Sequence, residues 1–456
     1  MRKTSLALAA ALALGTLCAA PAQAIDLIAI GKLSATASDF SGQTGTLENG
    51  VRGDLLGGIG SGLAWIGGTR FLALPDRGPN ATSWNSSLDD TSSYIPRFHE
   101  LDLVLEQRAD AATGLPFTLT PSLVNTTLLY SRGALKYGGT VGGHAAVPAK
   151  NDATHFYFSG RSDNFDPATS SASSADARLD PEGIRLSRDG RVVYISDEYG
   201  PYVYAFDRAS GGRGRVITLP ANLAIAGKAA TGAAEIAGNT SGRVANKGME
   251  GLAISPDGKV LWGFMQSPLI QDGGDGGRMN RIVRIDLASG ATKQFAYDNW
   301  LADKSKAYNS SELLALNDHE LLVLERDGKG LGDDSKAVVK RIYKVDTTGA
   351  TDVSKLEGEA ALKAVAMPKT LFLDIFSKLV AAGIGERDIP AKLEGMTFGQ
   401  DVVIGGKVRH TLYVGNDNDF LATAPGGRAN PNQWFVFAFD DADLGGSPFV
   451  NQIFGN

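Results

Sequence analysis

The sequence predicts an all-β chain: a β-propeller of six blades, with five or seven as the alternatives, each of four antiparallel strands, and with one packed helix around residues 368–383. Three observations lead there. First, a small residue, a glutamate, a turn or apolar pair and a strand recur together, as DPEGIRL (180–186), GMEGLAI (248–254), SSELLAL (310–316) and KLEGMTF (392–398). A fifth copy, GSGLAWI (60–66), has Ser61 where the glutamate would stand. Recurrence at this interval marks units that stack or surround an axis. Second, every copy is followed by the same sequel: a second apolar strand, a polar cluster, and a third, alternating strand that ends at or beside an aspartate. Third, 56 glycines with 43% hydrophobic residues suit many short strands joined by tight turns.

Along the chain, residues 1–24 read as an export leader. Arg2 and Lys3 form the positive start, residues 6–17 an apolar run too short to span a bilayer, and Ala22-Gln23-Ala24 the small-residue cleavage site, with cleavage after Ala24. The expected location is periplasmic or secreted. Cys18, the only cysteine, lies in the leader and follows Leu17, which argues against lipid attachment. The mature chain then lacks disulfides, thiolate metal sites and a cysteine nucleophile. No later segment is long and apolar enough to cross a membrane. Removing the leader takes the net charge from −6 to −8, which disfavours a nucleic-acid surface and favours cations. Residues 25–456 form the propeller domain, expected as a monomer.

IDLIAIGKLSA (25–35) is the expected closing strand, pairing with C-terminal strands. Asp-Gly turns in SRDG (187–190) and SPDG (255–258) signal hairpins between the first and second strands. The polar clusters are PDRGPN (75–80), SDEYGP (196–201), MQSPL (265–269), LERDGKG (324–330) and GNDNDF (415–420). The third strands are RFHELDL (97–103), YVYAFD (202–207), RIVRID (281–286), RIYKVD (341–346) and FVFAFD (435–440). Their closing aspartates do turn work. Residues 107–165, with strand-like TLLYSR and HFYFSG, are either a further blade, which would be the sixth, or a large insertion. Residues 162–177 read as an exposed loop, and residues 221–246 as a loop with room for one helical turn. Leu371, Ile375, Leu379 and Val380 fall near helical spacing and place the packed helix.

The innermost strand of a blade lines the central tunnel, so its start lies at one mouth. That brings Glu182, Glu250, Glu312 and Glu394 together, at a repulsion of about 4 kcal/mol for a pair roughly 4 Å apart near a surface. Such a ring needs counter-charge or protons. Oxygen ligands in excess favour calcium, with magnesium second because it keeps more of its own waters. Asp76, Asp417 and Asp419 of the polar clusters add to the metal set. Hairpin pairing puts Asp197 beside Glu182 and Glu325 beside Glu312, as proton acceptors. Arg77 and Arg326 are candidates for holding an anionic substrate. The plainer alternative is that the glutamates bond backbone N–H groups, and that Asp76–Arg77 and Glu325–Arg326 are local salt bridges.

Other signals are weak. GGIGSG (57–62) lacks dinucleotide-loop spacing, and no GxSxG or HExxH motif occurs. The five histidines are scattered. His144, after paired glycines, could approach a ligand or sit in a solvated turn.

Together, GSGLAWIGGTRFLALPDRGPN, DPEGIRLSRDGRVVYISDEYGP, KGMEGLAISPDGKVLWG, LLVLERDGKG and KLEGMTFG with LYVGNDNDF resemble the phytase-like family of exported bacterial proteins, described as having "esterase-like activity of phytase". The resemblance covers most of residues 57–440. It implies a propeller-type domain whose acidic residues serve catalysis: here Asp76, Glu182, Asp197, Glu198, Glu250, Glu312, Glu325, Glu394, Asp417 and Asp419. Gln266 departs from the all-acid pattern. The expected activity is calcium-dependent hydrolysis of a small anionic ester, a phosphoester or related ester. The alternatives are a calcium-dependent lactonase or carboxylic ester hydrolase of the gluconolactonase kind, and a non-catalytic periplasmic propeller with a structural cation.

Overall fold

The computed structural model describes residues 25–81, 91–138, 147–161, 173–229, 232–452 and 454. The leader, His144 and most of the loop predicted at 162–177 lie outside the described residues.

Among the described residues the fold is a five-bladed propeller, not a six-bladed one. The blades start at inner strands Gly62–Gly67, Pro181–Leu186, Met249–Ile254, Asn309–Ala315 and Lys392–Phe398, and each runs outward through antiparallel neighbours. The sixth blade expected from residues 107–165 does not form. Its longest strand, Thr118–Leu128, pairs with Arg97–Glu106 as the outer edge of blade one. Beyond it, Tyr130–Ser131 and Phe156–Tyr157 make only a two-residue ladder. Four strands already complete blade one, so nothing remains to seed another sheet.

Blade five closes the ring as expected. Its strands run Asp26–Leu33, Asn432–Phe439, Lys407–Asp417, Lys392–Phe398 from outside in, so the N-terminal strand is its outer edge. The helix expected at 368–383 is half strand. Lys369–Asp374 is the outer strand of blade four, and only Ile375–Ala381 is helical. Asp374 ends the strand and caps the helix by accepting the Ser377 N–H. Ile375 and Leu379 are buried and Val380 is exposed, so the stripe read as one helix face spans two elements.

A blade is sandwiched between two others, so both faces of its strands must be apolar. Val260–Met265 and Glu320–Arg326 are buried at every position for this reason. Five core clusters each fill one interface. Leu72, Phe98, Ile184 and Ile195 join blades one and two, and Leu314, Leu322, Met396 and Leu412 join four and five. The Ser-x-Asp-Gly hairpins form as expected. Gly190 and Gly258 take φ of 73°, and Ser187 and Ser255 donate to Asp189 and Asp257. Asp207, Asp286 and Asp346 accept backbone N–H groups of the turns after their strands, which is the turn work expected of them.

At the axis, Arg185 and Glu312 tie the blades together. Arg185 donates to the carbonyls of Leu63, Ile184, Leu313 and Met396, on blades one, two, four and five. Glu312 pairs with Arg185 at 3.0 Å and accepts the Leu252 N–H of blade three. One guanidinium and one carboxylate thereby reach all five inner strands and block the tunnel between its mouths.

Candidate metal centre at the tunnel mouth

A β-bulge opens every one of inner strands two to five near its start. In blade three, Met249 pairs with Met265 and Gly251 with Phe264, which leaves Glu250 bulged. Glu182 and Glu394 occupy the equivalent places in blades two and five. The glycine after each of these glutamates is required by close approach of the next inner strand. A Cβ on Gly183 would come 2.5 Å from Leu252 Cβ, one on Gly251 3.0 Å from Glu312 Cα, and one on Gly395 2.8 Å from the Gly60 carbonyl oxygen. The bulge turns the glutamate into the mouth while the glycine lets the strands pack.

Glu182, Glu250 and Glu394 meet there, with one oxygen of each within 4.8 Å of the others. Asp180, Glu182 and Glu198 form a second such trio, so Glu182 belongs to both. All five are at most 6% exposed. The Glu182 carboxylate makes no hydrogen bond or ion pair among the described residues.

Blade four departs from expectation. There Ser310 pairs with Glu325 and Glu312 with Leu324, so the bulged residue is Ser311. Glu312 holds the place of Gly251, and its side chain turns to Arg185 below the ring. It is therefore not a member of the mouth cluster. Glu325 does not lie beside Glu312 either. It takes the place of Met265 and is held by Tyr297 Oη at 2.6 Å and by Lys369, between blades three and four. Asp197 pairs with Pro181, next to Glu182 in the chain, but its carboxylate accepts the N–H groups of Asp180, Tyr199 and Gly200. It fixes that turn.

The residues at or just past the ends of the second strands form a further tier: Asp76, Glu198, Gln266, Arg326 and Asp417. Glu198 accepts the Gly248 N–H at 2.8 Å, which ties blade two to three. Arg326 pairs with Glu394 and lies 3.9 Å from Glu250. Arg77 is bidentate to Asp180, through its own N–H and its guanidinium, and 3.9 Å from Glu198. Asp76–Arg77 and Glu325–Arg326 are thus not local salt bridges, since both arginines reach other blades. Lys392, which sequence reasoning passed over, bridges Asp417 at 3.0 Å and Asp419. A lysine two residues before a ring glutamate was the available signal.

Burial dominates the electrostatics. It raises the Glu182 carboxyl well above its ordinary value, reinforced by Glu250 and Asp180, and the Glu198 carboxyl likewise, reinforced by Asp180 and Glu250. Burial raises Glu250 to about 8, with Glu394 adding to the rise and Arg326 opposing it. Asp76 rises through burial and its neighbour Asp417, whereas Lys392 holds Asp417 low against its own burial. Outside the mouth, burial lifts Asp197, Glu312 and Glu325 to about 7.

Carboxyls raised on folding keep protons that the unfolded chain has already lost above its ordinary pKa of about 4.5. Folded protein then binds more protons than unfolded between that pH and about 8, so its stability falls as pH rises through the window. Chelator-treated protein is expected to melt several degrees lower at pH 8 than at pH 5.5. A thermal melt series across pH checks this, and a flat or rising profile contradicts it.

The residues fit a hard divalent cation. Eight carboxylates (Asp76, Asp180, Glu182, Glu198, Glu250, Glu394, Asp417, Asp419) face three cationic side chains (Arg77, Arg326, Lys392). The donors are all oxygen, which suits calcium or magnesium rather than a softer metal.

Comparison with known proteins places these features in a wider set. The profile of the phytase-like family, described as "Esterase-like activity of phytase", matches residues 54–420. An uncharacterized secreted protein of Arthroderma benhamiae is 30% identical over 328 residues, 60% of this chain. The chain spans 60% of the length of that curated relative. Among solved structures, the major allergen Mala s 1 of Malassezia sympodialis aligns with 86% of this chain and 80% of its own, at 14% identity and a TM-score of 0.35. The periplasmic gluconolactonase of Pseudomonas aeruginosa aligns with 91% and 100%, at 11% identity and a TM-score of 0.33.

Proposed function

The chain belongs to the phytase-like family, and from that premise we propose that it is an exported hydrolase of small anionic esters, phosphoesters first, whose acidic mouth binds calcium. The observation that carries this reading is the convergence of Glu182, Glu250 and Glu394 from three blades, buried and within 4.8 Å. Magnesium is the second choice of ion. Export is supported by the leader-like residues 1–24 and by the secreted relative. No helix among the described residues is long and apolar enough to cross a membrane.

Glu182, Glu250 and Glu394 would hold the cation, with Asp76, Asp417 and Asp419 on the blade-one and blade-five side of the same mouth. When bound, it supplies Lewis-acid polarisation of the ester oxygen and a water of lowered pKa. The chain's own residues do the rest. Arg77, Arg326 and Lys392 offer the positive charge that an anionic ester needs, and the arginines can meet a phosphoryl group with two parallel N–H bonds. Their carboxylate partners hold them in place before substrate arrives, so little reorganisation accompanies charge development. Glu198 is the residue best placed to move a proton, because the Gly248 N–H fixes one of its oxygens while it faces Asp180 and Arg77. Arg185 and Glu312 close the tunnel behind the site, so substrate enters and product leaves by one mouth.

Because several mouth carboxyls hold protons without a cation, calcium binding must expel protons. Titration calorimetry at pH 7 in buffers of different ionisation enthalpy is expected to give different apparent heats, with at least one proton released per ion. Hydrolysis is tested with p-nitrophenyl phosphate, bis-p-nitrophenyl phosphate, p-nitrophenyl acetate and a sugar lactone, each with calcium and with chelator. Calcium-dependent turnover of a phosphate ester supports the reading. Turnover of the lactone or acetate alone replaces the substrate class, and binding without any turnover leaves a structural cation.

A further inference from the structure

Three blades place a glutamate at the ring position, and the other two place serines there, Ser311 by strand register and Ser61 by the sequence motif, and these serines differ in one respect. Ser61 Oγ donates to the Gly58 carbonyl at 3.3 Å. Ser311 Oγ, at the bulge of blade four, is fully buried and has no hydrogen-bond partner among the described residues. Buried hydroxyls are almost always paired, so an orphan at a ring position calls for a missing partner. Glu182 is a second side chain at this ring that is 6% exposed and unpaired among the described residues.

We propose that Ser311 Oγ is a neutral oxygen ligand of the divalent cation held by Glu182, Glu250 and Glu394, a role that rests on the cation-binding reading above. The burial favours an ion over a water or a substrate oxygen. A water needs about 2.8 Å to its hydroxyl partner, while calcium approaches oxygen to about 2.3–2.6 Å. A place closed to water at Ser311 can therefore still admit a bare ion. A hydroxyl also suits blade four electrostatically. Arg326 already lies between Glu250 and Glu394 there, and a neutral ligand adds coordination without another buried charge.

The experiment is calcium titration of chelator-stripped full-length protein, by calorimetry and by the calcium-induced rise in melting temperature, for wild type, Ser311→Ala and Ser61→Ala. Ser311→Ala is expected to weaken calcium about three- to tenfold, the scale of losing one neutral polar contact. Without calcium it is expected to melt no lower than wild type, since an orphan hydroxyl contributes nothing to the cation-free fold. Ser61→Ala is expected to keep wild-type affinity. If wild type binds calcium and Ser311→Ala binds it equally, the Ser311 assignment is overturned while the carboxylate site stands. A Ser311→Ala protein that melts lower in chelator with its calcium affinity intact also overturns it, by showing a purely structural hydroxyl. If wild type binds no calcium, the cation reading itself falls.

Discussion

Glu182→Gln is expected to abolish calcium binding in the accessible range and to lower calcium-dependent kcat/KM by about 100-fold or more, the loss seen when one positioned polar group is removed from a reacting centre. Glu182 is the severe position because it belongs to both carboxylate trios and no arginine or lysine among the described residues pairs with it. Glutamine keeps the shape and removes only the charge. The same change should not harm the cation-free fold. A buried carboxyl crowded by Glu250 and Asp180 is a repulsive element, and neutralising it relieves that repulsion. In chelator at pH 8 the variant should therefore melt at or above wild type. Melting curves with and without calcium, beside the kinetics, check the pair of outcomes. A variant that loses activity and also melts far lower in chelator would make Glu182 a structural residue.

Arg185→Met is expected to be the most destabilising single change at the axis, by about 3–5 kcal/mol, the range for removing one member of a buried ion pair. Its guanidinium serves four carbonyls and the Glu312 carboxylate, so methionine leaves a buried charge and several acceptors without donors. Glu312→Gln should cost much less. Burial already lifts Glu312 to about 7, and a neutral amide can still accept the Leu252 N–H. The double variant Arg185→Met with Glu312→Leu should recover part of the loss, because a well-packed apolar pair can replace a buried ionic one. Denaturant midpoints in calcium-free buffer test the series. Equal, small losses in all variants would mean the axis is held by the blade cores alone.

The blades were legible because their signals are local. Alternating strands, Ser-x-Asp-Gly turns and aspartates at strand ends recur whatever surrounds them. The blade count was not legible, because outer strands such as Thr118–Leu128 carry no motif and are defined only by the partner they find. The mouth was legible in three of its four proposed glutamates. SSELLAL misled because it was aligned on its glutamate, whereas the register aligns Ser311 with Glu250 and Glu312 with Gly251. The missing glycine after Glu312 was the warning. Aligned by register, Ser311 takes the ring position and Glu312 turns to Arg185 at the axis. Arg185 was also missed, though an arginine inside a strand buried on both faces must have partners somewhere. Asp197 and Glu325 failed as mouth residues because side chains alternate along a strand. The residue after each, Glu198 or Arg326, points to the mouth instead.

The central claim, that carboxylates from separate blades share a divalent cation at one mouth, is tested most directly by titrating calcium into chelator-stripped wild-type protein in a calorimeter. The account predicts saturable binding of at least one calcium per chain with release of protons, and a matching rise in melting temperature. Absence of both binding and stabilisation, with calcium and with magnesium, would contradict it.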